Sequence, residues 1–69
     1  MQCSIQTELS AGVSSALQRL ANTIQRQLDA VRAGDEATAS SLDLELERLM
    51  GEKERTFGAL KQHRSEHGC

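Results

Sequence analysis

His63 and His67 stand four residues apart in the closing stretch "KQHRSEHGC", and Cys69 follows them. On a helix, imidazoles at i and i+4 project from one side, a spacing that offers two nitrogen ligands to one Zn²⁺. The other cysteine of the chain, Cys3, lies near the opposite end. If the chain doubles back so that position 3 meets about position 67, then Cys3, His63, His67 and Cys69 form a Cys2His2 set. Four protein ligands leave no open position, so such a set would be a structural clip rather than a catalytic centre. The same residues admit other readings. Cys3 and Cys69 can form a disulfide in an oxidising compartment, or pair between subunits. They can also be free thiols, with two histidines placed favourably at the negative end of a helix dipole. The pattern matches no standard zinc finger, and zinc at this set is the one cofactor the sequence suggests.

Catalytic chemistry has less support. Carboxylate-bridged metal bundles use a Glu-x-x-His pair, whereas Leu60 and Arg64 stand three residues before the two histidines. No glycine-rich phosphate loop or dinucleotide fingerprint is present, and no serine is brought beside a histidine and an acid. A non-enzymatic protein is expected.

The elements that must position these residues are helices. Leu9, Val13, Leu17, Leu20, Ile24, Leu28 and Val31 recur every three or four residues, the period of one helical face. Leu42, Leu46, Leu49, Met50, Phe57 and Leu60 repeat the pattern in the second half. Between them, "RAGDEA" carries the signals of a tight turn. Gly34 suits a left-handed helix stop, Asp35 can cap the next helix, and Glu36 is favourable in its first turn. The sequence therefore predicts an all-α fold, an antiparallel two-helix hairpin with long helices over about 4–33 and 36–66, as one domain spanning residues 1–69. In such a hairpin, facing residues have numbers adding to about 70. That register brings Leu9 near Leu60, Val13 near Phe57, Leu20 near Leu49 and Met50, Ile24 near Leu46, and Leu28 near Leu42. Gln27 and Lys53 interrupt the stripes and should either reach the surface or pair across the seam.

Composition sets the next constraint. A chain of 69 residues with no Trp, no Tyr, no Pro and a single Phe has few side chains that bury large areas. Each stripe is also wider than the contact one neighbouring helix makes. Self-association is expected, most economically as a dimer of hairpins forming a four-helix bundle. Its interface would draw on Leu9, Val13, Leu17, Leu20, Ile24, Leu28, Leu42, Leu46, Leu49, Met50, Phe57 and Leu60.

Charge narrows the partners. A formal charge of −2 does not favour nucleic acid. Arg19 and Arg26 are one heptad apart and Arg32 follows, so a row of guanidinium groups on helix 1 is the candidate surface for phosphates. No aromatic stands beside it to stack bases. Acids are concentrated early in helix 2 and bases late, which complements the helix dipole. Arg48 with Glu52, and Glu52 with Arg55, are expected to pair along the helix. Gly51 and Gly58 align with Leu44 on the far face of helix 2, where small residues would let a protein partner approach closely. No segment reads as a signal peptide or a membrane span, and a cytoplasmic location is expected.

Overall fold

The computed structural model describes residues 4–67, and the side chains of residues 4–66. Two helices account for nearly all of this: α1, Ser4–Arg32, and α2, Glu36–His67, packed antiparallel as a hairpin. At 1.5 Å per residue each helix is roughly 45 Å long. The molecule is a slab, 52 × 16 × 10 Å.

The turn is built from two residues. Gly34 has φ +76°, a left-handed conformation that a side chain would strain. Its N–H donates to Val31 O at 3.1 Å, and the Asp35 N–H donates to Ala30 O at 2.9 Å. This pair of bonds is the Schellman stop, which satisfies carbonyls that the end of α1 would otherwise leave open. Asp35 also starts α2. Its carboxylate Oδ1 accepts the Thr38 N–H at 3.1 Å, and its carbonyl accepts the Ala39 N–H at 3.0 Å. One residue thus ends one helix and caps the next, which is why the connection is so short.

The seam between the helices follows a heptad spacing. On α1, Leu9, Val13, Ala16, Leu20, Thr23, Gln27 and Ala30 are buried or half-buried; on α2, Ala39, Leu42, Leu46, Leu49, Lys53, Thr56 and Leu60 are. Alternating steps of three and four place each set on one face. The buried line on α1 is displaced from the stripe of large aliphatics expected from sequence. It passes through Ala16, which is completely covered, and through Thr23 and Ala30, while Leu17, Ile24, Leu28 and Val31 flank it and stay exposed. Small side chains let two helix backbones approach closely, and the wider aliphatics then fall to one side of the contact.

Polar groups in the seam find partners. Thr23 Oγ1 donates to Arg19 O at 2.9 Å, and Thr56 Oγ1 donates to Glu52 O at 3.0 Å, both on their own helix. Gln27 Nε2 reaches across to Ala39 O at 3.1 Å and to Asp43 Oδ1 at 3.4 Å. Lys53 is half-buried beside Val13, Leu17 and Phe57. Gln6 is different: its Oε1 is buried near the open end with no hydrogen-bond partner.

Candidate functional site

The two flanks of the seam differ in chemistry. Residues seven apart on a helix lie nearly in line, since seven residues make two turns. Leu17, Ile24 and Val31 form such a line on α1, and Met50 and Phe57 form one on α2. Leu17 and Phe57 wall a common hollow of about 230 Å³ with Val13 and Lys53, which puts both lines on the same flank. Leu28 stands one turn from Ile24 and extends it. These six aliphatic and aromatic side chains are between 40 and 62% exposed. At the rim, the Lys61 Nζ lies 5.9 Å from the centroid of the Phe57 ring.

The opposite flank is charged. Arg19, Asn22, Thr23 and Arg26 of α1 and Glu45, Arg48, Leu49, Glu52 and Arg55 of α2 line a groove of about 440 Å³. The Arg19 guanidinium pairs with the Glu52 carboxylate across the seam, and Arg48 pairs with Glu45 at 3.5 Å. Glu52 therefore bridges the two helices; the Arg48–Glu52 pairing expected along α2 gives way to Arg48–Glu45. A Cβ added at Gly51 would meet Arg55 Nη1 at 3.4 Å, so the Arg55 side chain lies back over that glycine.

The residues singled out from sequence fall into distinct places. Among the expected interface residues, Val13, Leu42, Leu49 and Leu60 are buried between α1 and α2 within one chain. Leu9, Leu20 and Leu46 are half-buried there. Leu17, Ile24, Leu28, Met50 and Phe57 are the members left on the apolar flank. Arg19 and Arg26 share the charged groove, but Arg32 does not line it. Six residues beyond Arg26, Arg32 is turned by about 120° around the helix axis. The groove instead recruits Arg48 and Arg55 from α2, which a reading confined to α1 could not find. Their signal was the same heptad spacing that joins Arg19 to Arg26.

On the far face of α2, Leu44 is 70% exposed, and a Cβ at Gly58 would meet nothing within 4 Å. The hairpin's own packing therefore does not require glycine at position 58. Of the proposed metal set, Cys3 and Cys69 lie outside the described residues, as does the side chain of His67. His63 is half-buried toward the open end of the hairpin. Among the described residues no three His, Cys, Asp or Glu side chains group closely enough to hold a metal ion. No helix there is long and apolar enough to cross a membrane.

Compared with known proteins, the chain matches no family model, no curated protein and no solved structure.

Proposed function

We propose that the chain is a non-enzymatic assembly module that self-associates through the apolar flank, two hairpins joining as a four-helix bundle. The observation that carries this reading is the uncovered set Leu17, Ile24, Leu28, Val31, Met50 and Phe57 on one side of a slab. Each such side chain, about half exposed, leaves on the order of 100 Å² of apolar area in water. Together they approach about 600 Å², the top of the range for the largest apolar patch on a monomer. A symmetric pair would cover about 1,200 Å², the lower bound of a specific interface. The thin seam argues the same way. Among the described residues no large side chain is fully buried, so an isolated hairpin has little enclosed core to offset the entropy of ordering it. Sedimentation equilibrium tests the reading: a dimer is expected, and a folded monomer at tens of micromolar would overturn it.

A second reading, binding of a nucleic-acid backbone, draws on the four arginines of the charged groove. Glu45 and Glu52 stand among them, so the groove carries a surplus of two positive charges. Fluorescence anisotropy with a short RNA duplex at low and high salt tests it. Binding that weakens with salt and is lost in Arg26→Ala/Arg55→Ala supports the groove; salt-dependent binding that survives the double substitution removes it.

A further inference from the structure

Resting on the self-association reading, we propose that α1 is the dimerising helix: it packs antiparallel against α1 of a second copy, so the two turns lie at opposite ends of the bundle. The observation is an asymmetry between the helices. Ninety degrees from the seam, the outward row on α1 is Leu17, Ala21, Ile24, Leu28 and Val31, with steps of four and three, the spacing of a second helix–helix seam. Every member is apolar and exposed. The equivalent row on α2 is Glu47, Met50, Glu54, Phe57 and Lys61, in which charged and apolar residues alternate.

Two hairpins facing each other by their apolar flanks have two symmetric ways to pair. In one, each α1 lies over the partner's α2, with both turns at the same end. Leu17 and Ile24 would then share their layers with Glu54 and Glu47 of the other copy, burying charge against aliphatic side chains twice over. In the other, α1 lies over α1. An antiparallel row of this spacing is self-complementary: Leu17 meets Leu28 of the second copy, and Ala21 meets Ile24. All four layers are apolar. Ala21 beside the two-fold axis lets the backbones close in, as Ala16 and Ala30 do in the intrachain seam. The two α2 helices then lie over one another on the other side of the bundle, so Glu47, Glu54 and Lys61 are confined to that one contact, which can splay open to water. Charge placement therefore selects the second arrangement.

The two arrangements differ most at the turn, so the test leaves the interface untouched. Ala37 is exposed in the first turn of α2. In a Cys3→Ser/Cys69→Ser background, Ala37→Cys is spin-labelled and the interchain distance is measured by pulsed dipolar spectroscopy, with sedimentation of the same sample to establish its state. Turns at opposite ends place the labels roughly 35 Å or more apart, since some 23 residues of helix rise separate them along the bundle. Turns at one end place them no more than about 25 Å apart, a separation set by bundle width alone. A dimer with the long distance is expected. A dimer with the short distance overturns the α1–α1 pairing and leaves self-association standing, whereas a monomer in sedimentation overturns both.

Discussion

Leu17 of α1 and Phe57 of α2 wall the same hollow on one flank of the hairpin, while Arg19, two residues from Leu17, pairs with Glu52 on the other. A two-helix slab exposes both of its broad sides, so chemistry sorted in this way between them says which side water should leave. On the apolar side the exposed row of α1 carries no charge, and the charges of that side stand on α2.

Ile24→Asp and Phe57→Asp should each abolish association while adding little strain to the single hairpin, because both side chains are about half exposed there. Sedimentation should report monomer. Circular dichroism should show helix lost only to the extent that the hairpin depends on its partner. A dimer that persists in both variants would place the interface elsewhere.

Leu49→Ala probes the other class of leucine. Leu49 is buried in the seam, so truncation should cost about 2–3 kcal/mol, the lower part of the range for buried leucines, because a two-helix seam supplies few surrounding atoms. Leu44→Ala on the far face of α2 should change stability by less than about 0.5 kcal/mol. Chemical denaturation of the two variants side by side measures the contrast; equal losses would mean that Leu44 is covered in the assembled protein and would direct attention to the Gly51 and Gly58 strip.

The helices and the turn were legible because their causes are local. The recurrence of Leu9, Val13 and Leu20 against Leu46, Leu49 and Leu60 requires only a helical period. Gly34 and Asp35 act on atoms within a few residues of themselves. Which side of α1 turns inward was not legible in the same way. Leu17, Ile24 and Val31 are more hydrophobic than Ala16, Thr23 and Ala30, yet the small residues take the seam, because the choice depends on how closely two backbones can approach. The charged groove was hidden for a related reason. Arg48 and Arg55 look committed to Glu52 along their own helix, and only the tertiary register gives Glu52 to Arg19. The Cys/His set cannot be compared in this way, since both cysteines lie outside the described residues.

Gly34→Ala should destabilise the fold by about 1–2 kcal/mol, the cost of holding a side chain in the left-handed region. Crowding is not the cause, since an added Cβ would meet nothing within 4 Å. Gly34→Asn should recover part of the loss, because asparagine tolerates this conformation better than alanine. Urea titration of the three proteins gives the order Gly, Asn, Ala. An alanine variant as stable as the parent would mean that the turn adopts another conformation in solution.

Asp35 makes the start of α2 sensitive to acid. Its carboxylate is held below the ordinary value of 3.8 by hydrogen bonds from the Thr38 side chain and backbone. A carboxylate whose folded pKa is depressed contributes stability above its unfolded pKa and loses it as pH falls through the lower folded value. The Asp35 contribution should therefore be constant from neutral pH to about pH 5 and decline below about pH 4. Asp35→Asn keeps an N-cap acceptor but has no charge to lose. The difference in stability between parent and Asp35→Asn, followed by chemical denaturation from pH 7 to pH 2.5, should shrink across that acid window while other carboxylates cancel. A difference that stays constant down to pH 2.5 would mean that the charge of Asp35 plays no part in capping α2.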